Sequence, residues 1–143
     1  MCGFLGIFNG ENIDKDFLVK SSLYIKHRGP DDDGYYINKE DSIFFAHRRL
    51  SITDLSKKAS QPMKSKSGRY IIIFNGEIYN HLNIRKTLNM KESYSSTDTE
   101  TLLFSFDKIG IEKTIKLCEG MFSFACWDTQ VKELTLVRDR FGE

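Results

Sequence analysis

At 143 residues the chain has the length of one domain, and 21 Lys plus Arg against 20 Asp plus Glu leave a net charge of +1. That balance provides neither a basic field for nucleic acid or an anionic membrane nor an acidic tail, so the expected partner is a small, neutral molecule. No stretch approaches the roughly 20 apolar residues of a membrane span and no secretory signal precedes the first apolar run, which makes a soluble cytoplasmic protein the expectation.

The chain opens MCGFLGIFNG, and residues 3–9 read as a first strand. Residues 14–26 follow as a helix, with a stripe of Phe17, Leu18, Ser21, Tyr24 and Ile25. HRGPDDDG breaks the pattern as a loop, and GYYIN and SIFFAHRRL then form a hairpin around NKED. LSKKASQPMKSKSG reads as a polar loop, and RYIIIFNG as an apolar strand ending in Asn-Gly. NHLNIRKTL suggests a short helix entered at Asn80. The next helix is better marked: Thr97 and Glu100 have capping-box spacing, Leu102, Leu103 and Phe106 share a face, and Gly110 is the stop. IEKTIKLCEG adds a short helix, and MFSFACWD and ELTLVRD close the chain as a hairpin. Strands and helices come in pairs instead of alternating, so a layered α+β domain is expected.

Three cysteines, Cys2, Cys118 and Cys126, form an odd set with no secretory context, which argues against a disulfide framework. Cys118 and Cys126 lie in apolar runs, where a thiol acts as a small hydrophobe. Cys2 differs, because removal of Met1 would leave it with a free α-amine. A thiol of pKa about 8.5 needs a base, and an α-amine of pKa about 7.7 to 8.0 is a suitable one. Alone, however, Cys2 reads more readily as an early-strand residue.

A side-chain amide and a backbone N–H at Asn75 and Gly76 are the two donors that a tetrahedral oxyanion requires, although Asn-Gly is also a hairpin signal. In AHRRLSITD, neighbouring side chains of a strand point to opposite faces. Arg49 therefore shares its face with His47 and can offer a guanidinium to a carboxylate, or simply face solvent. Asp98 could merely complement a helix dipole and Glu77 could be a surface charge. Cys2, His27, His47, Cys118 and Cys126 match no close ligand pair, so no metal site is expected. No phosphate-binding glycine loop is present either.

With MCG, HRGPDDDG, HRRLSITD, NGEIYN, STDTE and RDRFG in this order, the chain resembles the glutaminase domain of the asparagine synthetase (glutamine-hydrolysing) family. These are class II glutamine amidotransferases. The resemblance implies an N-terminal nucleophile hydrolase fold over residues 1–143, with two antiparallel sheets between helical layers in an αββα sandwich. It implies hydrolysis of the glutamine side-chain amide through a thioester, conditional on removal of Met1. Cys2 would be nucleophile and, through its amine, base; Asn75 and Gly76 would form the oxyanion hole. Arg49 would bind the glutamine carboxylate, and Glu77 and Asp98 its ammonium group. The resemblance also implies a domain continuing beyond RDRFG, so the fold is expected to be incomplete at its C-terminal end. An ATP-dependent synthetase domain, with ATP and magnesium, would lie outside this chain, and a homodimer is compatible with the family. The competing expectation is a non-catalytic binding or assembly module on the same scaffold, with Met1 blocking the amine.

Overall fold

The computed structural model describes residues 2–11, 13–51, 57–91, 93 and 95–142. Met1, on whose removal the expected chemistry depends, lies outside the described residues, as do residues 52–56, which include the last three of the HRRLSITD motif.

Two antiparallel sheets carry the fold. β1 (Gly3–Phe8), β3 (Ile43–Arg49) and β2 (Asp32–Asn38) form one sheet in that order. The other runs β4 (Met63–Lys64), β5 (Tyr70–Ile78), β6 (Gly120–Asp128) and β7 (Glu133–Arg138). Alternation along the strands sorts side chains into two cores. Ile43 and Phe45 of β3 meet Ile71, Ile73, Ala125 and Trp127 between the sheets. On the outer face of the second sheet, Ile72, Phe74, Phe124 and Cys126 pack against Leu102, Leu103 and Phe106 of α3 (Asp98–Ile109).

α1 (Lys15–Leu23) covers the outer face of the first sheet, and α2 (His81–Thr87), α3 and α4 (Ile111–Leu117) lie on the other side. The order of layers is helix, sheet, sheet, helices. This is the αββα sandwich expected from the sequence, and its central side chains, each fully buried, are worth about 1.5–3 kcal/mol apiece.

Several boundaries differ from the sequence reading. α1 starts at the Asp14 cap, whose carboxylate accepts the Phe17 N–H at 2.8 Å, but ends at Leu23. Its buried pair is Leu18 and Ser22, one turn apart, while Phe17 is half exposed and Tyr24 is 86% exposed. The stripe fails because α1 covers a strand whose nearest side chain is polar: Ser22 Oγ accepts from Arg48 Nη2 at 2.8 Å. A helical turn at Lys26–Arg28 runs into HRGPDDDG, and β2 already begins within it, at Asp32. The supposed polar loop contains β4.

β5 does not end at Asn75-Gly76. It continues to Ile78, paired with β6 from Tyr70 opposite Asp128 to Ile78 opposite Gly120, so the dipeptide lies inside a strand. Half of the capping box forms: Thr97 Oγ1 accepts the Glu100 N–H at 3.3 Å. The Glu100 carboxylate, instead of reaching back to Thr97, accepts from Ser95 N at 3.1 Å and pairs with Arg85 at 3.4 Å.

Candidate active site

β1 begins where β3 ends, since Gly3 lies opposite Arg48. The antiparallel register therefore carries Cys2 to the level of Arg49, next to Leu50. The Leu50 N–H points at Cys2 Sγ over 3.4 Å, and Arg28 of HRGPDDDG donates through Nε to the Cys2 carbonyl at 3.0 Å. The first residue after Met1 is thus held at its backbone while its half-buried thiol opens into a cavity of about 250 Å³.

All six residues singled out in the sequence line that cavity: Cys2, Arg49, Asn75, Gly76, Glu77 and Asp98. Arg48 and Arg49 separate as strand geometry requires, Arg48 turning to α1 and Arg49 to the cavity. Glu77 is exposed at the rim. Asp98, the first residue of α3, accepts the Ile78 N–H at 2.9 Å and its neighbour's, Thr99, at 2.7 Å. Burial pushes its carboxyl above the usual carboxylate range, against these two N–H bonds and nearby His81, while the Glu77 charge adds to the rise.

The edge of β5 explains why the cavity lies where it does. Backbone groups of alternate residues point to the same side of an antiparallel strand. Tyr70 and Ile72 face β4, which ends its pairing with Met63 opposite Ile72. Ile78 gives its N–H to Asp98. Between them, Gly76 lies opposite Phe122, whose N–H and C=O turn the other way to bond the carboxylate and N–H of Asp139. The Gly76 N–H is thereby aimed at the open side of β5, into the cavity.

Glycine is required there on two counts. Its φ is +141°, and a Cβ would lie 2.2 Å from the Met121 carbonyl. Next to it, Asn75 buries Oδ1 without a partner, which leaves Nδ2 as the polar end of that side chain available to a bound group. A buried acceptor left unsatisfied costs stability, and Oδ1 has no bond of its own that would fix the amide.

Nine further residues complete the lining, Gln61, His81, Thr99 and Met121 among them, and none of the nine was singled out in the sequence as a site residue. Gln61 sits in a stretch that reads as polar loop, and Met121 as ordinary strand filling, so neither carries a local signal. Among the described residues no cluster of three or more His, Cys, Asp or Glu is arranged to hold a metal. No helix among them is long and apolar enough to cross a membrane.

The two-sheet, four-layer arrangement is that of the N-terminal nucleophile amidotransferases. It superposes on the glutamine phosphoribosylpyrophosphate amidotransferase of Bacillus subtilis with a TM-score of 0.74 at 17% identity, over 97% of this chain and 37% of that one. Residues 1–143 match the family model described as glutamine amidotransferase domain, and the chain belongs to that family of enzymes. It is 40% identical to asparagine synthetase [glutamine-hydrolyzing] 1 of Bacillus subtilis, over 99% of this chain and 23% of that protein. It is 37% identical to a putative asparagine synthetase [glutamine-hydrolyzing] 2 of Methanocaldococcus jannaschii, over 99% of this chain and 30% of that protein. The maize asparagine synthetase [glutamine-hydrolyzing] is 30% identical, with 24% of it covered. The chain thus spans about a quarter of the length of these relatives.

Proposed function

We propose that this domain hydrolyses the side-chain amide of glutamine to glutamate and ammonia, with Cys2 as nucleophile once Met1 is removed. The observation that carries the reading is the charge layout of one cavity: a guanidinium, Arg49, together with two carboxylates, Glu77 and Asp98, beside the Cys2 thiol and the Asn75-Gly76 donors. A zwitterionic amino acid needs such a set, one cation for its carboxylate and anions for its ammonium. Its side chain then extends toward the thiol.

In this reading the free α-amine takes the thiol proton and Sγ attacks the amide carbon. The C=O electron pair moves to oxygen, where Asn75 Nδ2 and the Gly76 N–H stabilise the oxyanion. Collapse breaks the C–N bond, the ammonium form of the amine returns its proton to the leaving nitrogen, and ammonia departs. Water then adds to the thioester, the C–S bond breaks, and glutamate leaves with the thiol restored. Ammonia would pass to an ATP-dependent synthetase domain of a longer protein, where ATP and magnesium would act, in the cytoplasm. Aspartate is the acceptor that the relatives' names suggest.

The test is intact-mass spectrometry after exposure to a glutamine-like electrophile, with peptide mapping. One adduct, on Cys2, only in molecules lacking Met1 and blocked by excess glutamine, is expected. Folded, processed molecules that remain unlabelled would instead identify a binding module on this scaffold.

A further inference from the structure

β4 stops two residues short of what β5 needs. Its register, Met63 opposite Ile72, would place a continued strand opposite Phe74 at residue 61. Gln61 does stand there, but its backbone is drawn away to the first sheet: a Cβ on Gly34 of β2 would lie 2.0 Å from the Gln61 carbonyl oxygen. The two edge groups of Phe74 are satisfied by side chains instead. The Phe74 N–H donates to Gln61 Oε1 at 2.6 Å. The Phe74 carbonyl accepts from His47 Nε2 at 3.2 Å, across the space between the sheets.

Both capping residues are buried, His47 at 1% and Gln61 at 8% exposure. A carbonyl can only accept, so Nε2 carries the proton and His47 Nδ1 is left as a buried atom without a partner. Burial also pushes the imidazole down to about 4, and the neutral ring is the form that fits. Gln61 uses its other end as well, with Nε2 3.5 Å from Thr99 Oγ1, next to Asp98.

We infer that Gln61 and His47 are positioning residues for the oxyanion donor Asn75, a statement that rests on the glutaminase reading above. They replace the missing β4 pairing at the Phe74 peptide, whose carbonyl carbon is bonded to the Asn75 nitrogen. Asn75 itself has no hydrogen bond to hold Oδ1, so the direction of its amide is inherited from the backbone before it. A loosened Phe74 peptide lets the donor drift from the oxyanion without touching the groups that bind the glutamine head.

The test compares Gln61→Met, His47→Leu and His47→Gln in the processed protein, reading glutamate release. Gln61→Met and His47→Leu should lower kcat about 10- to 100-fold with KM for glutamine within about twofold, since misplacing a reacting or stabilising group by an ångström costs on that order. His47→Gln retains an N–H donor for the Phe74 carbonyl and should recover most of kcat. In an Asn75→Ala background, Gln61→Met should lose most of its effect. Unchanged kcat, a change confined to KM, or an undiminished effect of Gln61→Met beside Asn75→Ala would overturn the positioning role. Failure of Asn75→Ala alone to lower kcat would instead overturn the oxyanion reading beneath it. Should His47→Leu not fold, Gln61→Met and its double variant decide the matter.

Discussion

Arg48 and Arg49 are adjacent on β3 and leave it on opposite sides. Arg48 donates to Ser22 Oγ through Nε at 3.1 Å and Nη2 at 2.8 Å, reaches Tyr35 Oη at 3.3 Å, and stands 3.6 Å from Asp33. It pins α1 to the first sheet, whereas Arg49 lines the cavity. The same conservative change should therefore give opposite results at the two positions. Arg48→Met should cost about 1–3 kcal/mol in urea unfolding, by removing the three hydrogen bonds that tie Ser22 of α1 and Tyr35 of β2 to β3, and leave glutamine kinetics unchanged. Arg49→Met should raise KM for glutamine at least tenfold with a smaller change in kcat. A kcat loss at constant KM for Arg49→Met would contradict the carboxylate clamp.

Asp98 supplies a pH test. Its folded pKa is raised by burial, so the folded state holds the proton more tightly than the unfolded chain does. The stability it contributes is present below the unfolded value of about 3.8 and is lost as pH rises through the folded value. With Asp98 in its proposed role, glutamine affinity should run the other way, because only the ionised carboxylate would attract the ammonium group. KM should therefore begin to climb on acidification above the pH at which an ordinary aspartate would protonate. Asp98→Asn should raise KM at neutral pH and flatten that limb. If the acid limb persists unaltered in Asp98→Asn, another group produces it.

How far the sequence reached is visible in which residues had local signals. The alternation rule separated Arg49 from Arg48, and the Thr97 cap with its Gly110 stop located α3 to the residue, Thr97 and Gly110 being its observed caps. Cys2, Asn75 and Gly76 had a chemical signal of their own, Glu77 and Asp98 took theirs from motif order, and all line one cavity. What escaped was non-local. The continuation of β5 through Gly76 depends on β6, some 46 residues later, and Gln61 faces Phe74 only because β4 pairs in one register. Glu100 was read as a capping partner for Thr97, but Arg85 of α2 competes for its carboxylate, and helix packing decides that competition.

That pairing carries its own prediction. Arg85 donates to Thr101 Oγ1 at 2.6 Å, Ser93 Oγ at 2.8 Å and the Thr97 carbonyl at 2.7 Å, besides its 3.4 Å contact with Glu100. One guanidinium thus fixes the segment that delivers Thr97 and Asp98 to the cavity. Glu100 is buried and stays behind when its half-buried partner goes, although Ser93 and Ser95 still donate to its carboxylate, so Arg85→Met should lose about 1–3 kcal/mol in chemical denaturation. KM for glutamine should also rise severalfold, through Asp98. A full-stability Arg85→Met variant would mean that packing, not this network, holds the segment.

The three cysteines should differ sharply toward a thiol reagent. Cys126 is fully buried, and burial pushes its thiol up. Cys118 is 6% exposed, donates to the Thr114 carbonyl at 3.2 Å, and is pushed up to about 11 by burial and the nearby Asp98 charge. At pH 8 such a thiol is roughly one part in a thousand thiolate, and only the thiolate attacks. Cys2 is half-buried and opens onto the cavity. Native protein with an aromatic disulfide reagent should therefore release about one equivalent of thiolate quickly, mapped to Cys2. The other two should react only at the rate of unfolding, and all three together in denaturant. Excess glutamine should slow the fast phase, since bound substrate would cover Cys2. Fast labelling of Cys118 in the native protein would show that α4 opens from the core far more readily than its burial implies.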